Sequence, residues 1–94
     1  MGKLRPAIVM SDGEANARLD TCIVIPLSTV IVPDALPYRY TITRREKLRY
    51  DSDACINEIR ALSKHRLKTL LGRLNAEELA IVSEGICAVT GGAF

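Results

Sequence analysis

The chain has 94 residues, a length that supports one modest hydrophobic core and excludes a large multidomain enzyme. Its 48% hydrophobic and 26% charged residues are typical of a folded globular protein and exclude a disordered one. No apolar stretch approaches the roughly 20 residues that cross a bilayer, and the first apolar run is too short for a signal peptide. We therefore expect a single domain over residues 1–94, located in the cytoplasm.

Positive charge is concentrated in the middle of the chain. Residues 39–73 contain ten Lys and Arg against four Asp and Glu, although the formal net charge of the whole chain is only +2. A basic segment suits a polyanionic partner, because each phosphate contacted by Lys or Arg releases condensed counterions. The same pattern also fits a solvated surface, so charge alone leaves the partner open.

Most of the predicted elements are strands. Pro6–Ser11 and Thr21–Leu27 are short apolar runs rich in β-branched residues, which predicts buried strands, and Ser11–Glu14 between them indicates a turn. Alternation over Tyr38–Thr43 predicts a half-exposed strand. Ala54–Leu62 alternates less clearly and fits a strand or a helix; the preceding strands favour a strand.

One helix is predicted at the C-terminal end. Asn75 is a good N-cap and Glu78 follows three residues later, as in a capping box, while Gly91–Gly92 would end the helix. Gly85 inside the helix predicts close contact with a neighbouring strand. Apolar residues recur at helical spacing and predict one stripe facing the core: Leu79, Val82, Ile86 and Val89.

The usual catalytic and metal-binding signatures are absent from the sequence. Cys22, Cys55 and Cys87 are too widely spaced for a zinc or redox motif, so we expect buried, reduced thiols. His65 is the only histidine, which excludes a ribonuclease mechanism that needs two imidazoles, and its basic neighbours indicate a surface position. We expect neither a metal ion nor a cofactor.

Candidate catalytic groups remain at the ends of the first two predicted strands. Arg5 precedes the first strand, and Ser28 and Thr29 follow the second. A guanidinium can hold two phosphate oxygens and stabilise charge that develops on them, and a hydroxyl can orient or protonate a neighbouring oxygen. Each of these residues also fits a solvated turn or a loop cap, so spacing alone leaves the function open.

Three ordered blocks resemble the MazF/PemK/Kid family of toxins from bacterial toxin–antitoxin pairs. Gly2–Asp12 (GKLRPAIVMSD) resembles the family's strand with an Arg-Pro pair, and Cys22–Thr29 (CIVIPLST) its strand that ends in Pro-Leu and two hydroxyl residues. Ala54–Leu67 (ACINEIRALSKHRL) is similar to its strand leading into a basic turn. Together the blocks cover most of the chain in the family's order.

The resemblance implies a fold, a partner and a reaction. The fold is mainly β, an SH3-like small barrel with a C-terminal helix, usually a homodimer, which cleaves single-stranded mRNA without metal and is neutralised by an antitoxin. The implied products carry 2′,3′-cyclic phosphate and 5′-hydroxyl ends. Arg5 matches the family's catalytic arginine and Ser28 its catalytic hydroxyl residue, while Thr29, Asn57 and Arg60 match RNA-binding positions.

Departures from the family pattern motivate a second hypothesis. Family members begin with a further strand, whereas this chain begins immediately before the Arg-Pro block, so the resemblance implies a barrel that is incomplete at its N-terminus. Glu58 stands where Gln or Lys is usual, and Asn57 replaces Asp. The alternative is a MazF-like module that binds antitoxin or nucleic acid without cleavage. A gyrase poison like the related toxin CcdB ranks last, because this chain lacks Trp.

Overall fold

The computed structural model describes residues 5–91, apart from the side chains of residues 15 and 16. The described part of the chain contains a five-stranded sheet, two α-helices and two short 3-10 turns. The strands are β1 (Ala7–Val9), β2 (Thr21–Ser28), β3 (Arg39–Ile42), β4 (Ser52–Cys55) and β5 (Arg60–Ser63). The helices are α1 (Gly13–Arg18) and α2 (Ala76–Val89), and the 3-10 turns are Ile56–Glu58 and Lys64–Arg66.

Strand β2 organises the sheet, because it pairs antiparallel with β1, β4 and β5. Strand β3 extends the sheet by pairing with β4, which gives the order β1-β2-β4-β3 with β5 beside β2. Within residues 5–91 the sheet is not closed. The prediction of a mainly β fold with a C-terminal helix is confirmed.

The segment predicted as one strand over Ala54–Leu62 is interrupted. Strand β4 ends at Cys55, a 3-10 turn follows, and β5 begins at Arg60. Ala54 pairs with Leu27 and Arg60 with Val24, so residues 55–59 lie opposite only two residues of β2. The extra residues on this side force the backbone to bulge, which explains the weak alternation and why a continuous strand was wrong.

The turn predicted over Ser11–Glu14 is also wrong, because a short helix α1 begins at Gly13. Glu14 lies in its first turn and Arg18 in its last, where each charge complements the helix dipole. The two side chains form an i,i+4 ion pair of 3.2 Å, with each more than 70% exposed. Such an exposed pair contributes little to stability. The charges of Glu14 and Arg18 therefore favour this helix only weakly.

The predicted start of α2 is confirmed. The Glu78 N–H donates to Asn75 Oδ1 at 2.8 Å and the Asn75 N–H donates to Glu78 Oε1 at 2.9 Å, which is a complete capping box. Val82 is fully buried in the core, and Ile86 and Val89 pack against that core. Leu79 is 46% exposed, so its prediction as a core residue was wrong; it lies near the start of the helix, before the buried positions Val82 and Gly85.

Gly85 lies where α2 approaches the rest of the molecule most closely. A Cβ at this position would lie 2.8 Å from Ile56 Cδ1 and 3.1 Å from the Pro37 carbonyl oxygen. Close contact was predicted correctly, but it involves a 3-10 turn and the loop before β3 and not a strand. Gly91 has φ of 82°, which favours glycine after the end of the helix. Gly92 lies outside the described residues, as do Gly2 to Leu4 of the first motif.

Two of the three cysteines are buried as expected. Cys22 and Cys55 are at most 4% exposed, and all three cysteines are free. Cys87 is exposed, which corrects its prediction: it follows Ile86 and lies about 100° around the helix from the apolar stripe. His65 is exposed, as predicted. None of the helices in residues 5–91 has the length and apolar character needed to cross a membrane.

Candidate active site at the end of strand β2

The pairing of β1 with β2 places the two predicted catalytic residues opposite each other. Ala7 is paired with Pro26, and the Leu27 N–H donates to the Pro6 carbonyl oxygen at 3.0 Å. Continued two residues before the start of β1, this register brings Arg5 opposite Ser28. Directly opposite residues share one face of a sheet, so the Arg5 guanidinium and the Ser28 hydroxyl can reach the same small group.

The same polar row continues across the next two strands. Ser28 pairs with Asp53, and Asp53 pairs with Thr41, so all three lie on one face of the sheet. The neighbouring row, one residue along, points the other way and is apolar: Ala54 is fully buried in the core and Tyr40 packs against it. A one-residue slip of register would exchange the two rows, so burial of the core also fixes the polar row.

Asp53 is the buried centre of this row, with a side chain only 1% exposed. Thr41 Oγ1 donates to Asp53 Oδ1 at 2.6 Å, the Val32 N–H donates to Oδ2 at 2.8 Å, and the Arg39 guanidinium lies 3.5 Å from Oδ2. Burial alone would raise the pKa of Asp53, but the hydrogen bonds from Thr41, Val32 and Arg39 outweigh it and lower the pKa. Asp53 is therefore a fixed carboxylate with both oxygens engaged.

The loop after β2 is held against this row. Ser28 Oγ accepts a hydrogen bond from the Val30 N–H at 3.1 Å, and the Arg39 guanidinium donates to the Val30 carbonyl at 3.1 Å. Asp53 holds the same loop through Val32. Because Ser28 Oγ accepts from the backbone, its own O–H remains able to donate to a ligand. The site thus presents a positioned hydroxyl donor beside an exposed arginine.

The predicted RNA-binding residues lie at different distances from Ser28. Thr29 follows it directly and is exposed. Arg60 is exposed and pairs with Val24, four residues from Ser28 along β2, and Asn57 is exposed on the 3-10 turn between β4 and β5. Arg5, Ser28 and Thr29 therefore form one group, while Asn57 and Arg60 lie on the β4–β5 side of β2, across from the side on which β1 pairs.

An open depression of about 410 Å³ lies beside Thr29. Its other walls come from the loop that joins β3 to β4. The lining residues are Thr29, Arg44, Arg49, Tyr50 and Asp51. Two arginines, an exposed tyrosine and a hydroxyl give this surface the chemistry of a nucleotide or phosphate site.

A second arginine–carboxylate cluster holds the β3–β4 loop to α2. Arg45 forms a bidentate salt bridge with Glu78, in which Nη1 contacts Oε1 and Nη2 donates to Oε2 at 2.6 Å. Arg45 Nη1 also donates to the Arg73 carbonyl oxygen at 3.2 Å. The hydrogen bonds from Arg45 lower the pKa of Glu78, against the effect of its burial. Glu78 thus serves both the capping box and the loop.

Sequence reasoning missed Asp53 and its partners. An acidic residue directly before an apolar run was a signal for Asp53, but its partners lie 12 to 21 residues away and cannot be read from spacing. It also missed Arg45 as the partner of Glu78. Within residues 5–91 no group of three or more His, Cys, Asp or Glu side chains is arranged to hold a metal ion.

Comparison with solved structures supports the same fold. The chain is similar to Mycobacterium tuberculosis toxin MazF-mt6 (TM-score 0.81, 17% identity, 93% of this chain and 86% of that one). It is also similar to an endoribonuclease from a mycobacterial species in complex with its cognate antitoxin (TM-score 0.81, 16% identity, 96% and 84%). A third match is MazE–MazF from Deinococcus radiodurans (TM-score 0.77, 20% identity, 93% and 82%).

Sequence comparison assigns the family. Comparison with curated protein sequences gives no significant match. The family model described as PemK-like, MazF-like toxin of type II toxin–antitoxin systems matches residues 1–90, a range that contains every site residue described above. With a matching fold and nearly the whole chain covered by that model, the chain belongs to the PemK-like, MazF-like family of toxins from type II toxin–antitoxin systems.

Proposed function

We propose that this chain forms one toxin domain over residues 1–94 and acts as an endoribonuclease on single-stranded mRNA, without a metal ion or cofactor. The observation that supports the proposal is the register of β1 with β2, which, continued from Ala7 to Arg5, brings Arg5 opposite Ser28. The family membership and the fold shared with proteins named as endoribonucleases support the same reaction.

Arg5 is the electrostatic part of the proposed mechanism. Attack on phosphorus by the RNA 2′-oxygen places additional negative charge on the two non-bridging oxygens. A guanidinium offers paired N–H donors in one plane that match two such oxygens, and Arg5 is exposed and accessible to a backbone phosphate. Arg5 therefore holds the phosphodiester and stabilises the charge that grows in the transition state.

Ser28 is the proposed proton carrier at the leaving oxygen. The bond from the 2′-oxygen to phosphorus forms while the bond from phosphorus to the 5′-oxygen breaks, which leaves a 2′,3′-cyclic phosphate. The proton of the 2′-hydroxyl passes to water, and the 5′-oxygen takes a proton from Ser28, which recovers one from water. The Val30 N–H fixes the Ser28 oxygen, so that its proton is available for this donation.

RNA on either side of the cleaved bond follows the basic part of the surface. Thr29 lies beside the reacting group, and Asn57 and Arg60 extend the proposed path along the β4–β5 side of β2. Because residues 39–73 carry a surplus of positive charge, we expect RNA affinity to fall as salt concentration rises.

The proposed partners are a cognate antitoxin and a second copy of the chain. Solved structures with the same fold include complexes with an antitoxin. The loop after Ser28 exposes three apolar side chains, Val30, Ile31 and Val32, each to between 42 and 68%. This exposed apolar area lies close to the proposed active site and suits a protein partner. We place this activity and its inhibition in the cytoplasm, where mRNA is translated.

The exposed apolar loop also favours the second candidate, a module that binds antitoxin or nucleic acid without cleaving RNA. That function needs the fold and the loop but not the Arg5 guanidinium or the Ser28 hydroxyl. Binding of RNA or antitoxin by the parent chain, with no scission of any RNA in a broad set of sequences, would favour this candidate over the enzyme.

Substitution of the two aligned residues tests the enzyme. The parent, Arg5→Ala and Ser28→Ala proteins are incubated with a long single-stranded RNA in EDTA, and initial rates are measured. We expect each substitution to slow cleavage by at least about 10²-fold, the effect of removing one group that stabilises the transition state. Arg5→Lys keeps the charge but loses the planar donor pair, and should remain strongly impaired.

Folding and charge are controlled separately. Thermal unfolding shows whether each variant is folded, and Arg18→Gln removes one exposed positive charge in α1, near the other end of β2. Arg18→Gln should cleave at the parent rate. Cleavage by folded Arg5→Ala at the parent rate would contradict the site assignment.

A further inference from the structure

Resting on the proposed function, we propose that the depression beside Thr29 is a subsite for the nucleotide next to the cleaved phosphodiester: its base stacks on Tyr50 and its phosphate is held by Arg44 and Arg49. The ligand is a single-stranded ribonucleotide unit and the contact is through stacking and charge. These three residues lie outside the groups that the family resemblance indicated, and none of them serves the proposed reaction.

The position of the depression follows from the pairing of the strands. Thr29 directly follows Ser28 and forms one wall, so the depression begins at the residue next to the proposed reacting group. The opposite wall belongs to the loop between β3 and β4, which closes where Ile42 pairs with Ser52. A chain whose phosphate lies at Ser28 therefore reaches the depression with its neighbouring nucleotide.

The loop that carries the proposed contacts is anchored at several points. Leu48 is only 9% exposed and belongs to the core, and the Lys47 N–H donates to the Leu71 carbonyl at 2.9 Å. Arg45 is held by Glu78, and the Arg44 N–H donates to Asp51 Oδ1 at 2.8 Å. A fixed loop loses little conformational entropy when it binds a ligand, which favours a preformed subsite.

The side chains that remain exposed on this loop suit a nucleotide. Tyr50 is 68% exposed, an uncommon exposure for a large aromatic residue, and its ring face is available to any base. Arg44 and Arg49 are exposed on the same depression, and Asp51 is the one acidic side chain among its lining residues. Asp51 accepts a hydrogen bond from the Arg44 backbone N–H, so part of the Asp51 charge faces the loop backbone. Two arginines against one aspartate give the lining a net positive charge.

Binding of a non-cleavable oligonucleotide tests the subsite. The sequence that the parent cleaves is prepared with a 2′-deoxynucleotide at the cut position, and its Kd is measured for the parent, Tyr50→Ala, Tyr50→Phe and Arg49→Gln. Tyr50→Ala should weaken binding by about 5- to 100-fold, the loss expected for one base–aromatic stack, and Tyr50→Phe should retain the parent affinity. Arg49→Gln should reduce the slope of log K against log salt by about 0.7.

Arg18→Gln is the matched charge control, since it removes one exposed arginine outside the basic segment and should leave both affinity and slope unchanged. In single-turnover reactions at subsaturating RNA, Tyr50→Ala and Arg49→Gln should lower the cleavage rate by the same factor as they weaken binding, because neither residue contacts the reacting atoms. A loss of rate much larger than the loss of affinity would overturn their role as binding residues.

The outcomes separate the subsite from the proposed function. Cleavage by the parent with equal affinity for Tyr50→Ala and parent overturns the subsite and leaves the enzyme in place. For a parent that does not cleave, binding is measured with a randomised single-stranded RNA pool: loss of binding in Tyr50→Ala supports the subsite on a non-cleaving module. A parent that neither binds nor cleaves RNA overturns both.

Discussion

Two arginine–carboxylate clusters stabilise different parts of this molecule. Asp53 is paired with Arg39 in the sheet, and Glu78 with Arg45 at the start of α2. The Asp53 side chain is 1% exposed and holds the loop that follows Ser28, whereas the Glu78 side chain is 12% exposed and holds the helix start to the β3–β4 loop. Similar chemical groups therefore support different surfaces, one next to the proposed reacting group and one beneath the proposed subsite.

The difference in burial determines what each cluster costs to break. When a fully buried carboxylate such as Asp53 is removed, its hydrogen-bond donors are left unsatisfied. When a partly exposed carboxylate such as Glu78 is removed, water can bind its donors instead. Because Asp53 also fixes the residues beside Ser28, its loss should affect both stability and cleavage. Loss of Glu78 should affect mainly stability.

The largest effect is expected for Asp53→Ala. This change leaves Arg39, the Thr41 hydroxyl and the Val32 N–H without their shared acceptor, and should lower the free energy of unfolding by about 3 kcal/mol. It should also reduce cleavage in the fraction that remains folded, because the loop after Ser28 is released. Urea unfolding and cleavage rates measure the two effects. Asp20→Ala, at an exposed position, should change neither; parent stability in Asp53→Ala would contradict the account.

A smaller effect is expected for Glu78→Ala, which removes the acceptor of the Asn75 N–H in the capping box and the salt bridge to Arg45. We expect a loss of about 1–3 kcal/mol, with cleavage by the folded protein retained. Glu77→Ala, at the exposed neighbouring position, should be close to neutral. A folded Glu78→Ala protein that lost cleavage as fully as Asp53→Ala would show that the two clusters do not have separate roles.

The smallest effect is the pH dependence of the parent. The pKa values of Asp53 and Glu78 are both lowered by folding, so each carboxylate contributes stability that is fully present above its unfolded pKa, about 3.9 for Asp and 4.3 for Glu. That stability is lost as pH falls through the folded pKa values. Urea unfolding between pH 7 and pH 3 should show this loss, and Asp53→Asn should show a shallower dependence. Equal slopes would contradict the pairing.

Local signals account for what the sequence predicted well. The capping box joins Asn75 and Glu78 across three residues, and both bonds form as predicted. Arg5 and Ser28 each lie at the end of a short apolar strand, and the resemblance to the family paired them. The register of β1 and β2, continued by two residues, brings them opposite each other, although their roles in catalysis stay a prediction.

Non-local contacts account for what the sequence did not predict. Arg39 and Asp53 are 14 residues apart, and Arg45 and Glu78 are 33 apart, so no spacing rule pairs them. The break between β4 and β5 follows from their different pairing with β2. Propensity within Ala54–Leu62 does not contain that information, because strand partners decide where the backbone bulges.

The most direct test of the central claim is cleavage in EDTA of two oligonucleotides that differ only in the 2′-hydroxyl at the cut position, with analysis of the product ends. If Arg5 and Ser28 act on a phosphodiester attacked by its own 2′-oxygen, the all-RNA strand should yield 2′,3′-cyclic phosphate and 5′-hydroxyl ends, and the 2′-deoxy strand should remain intact. Cleavage of the 2′-deoxy strand at the same bond, or products with 5′-phosphate ends, would contradict the proposed mechanism.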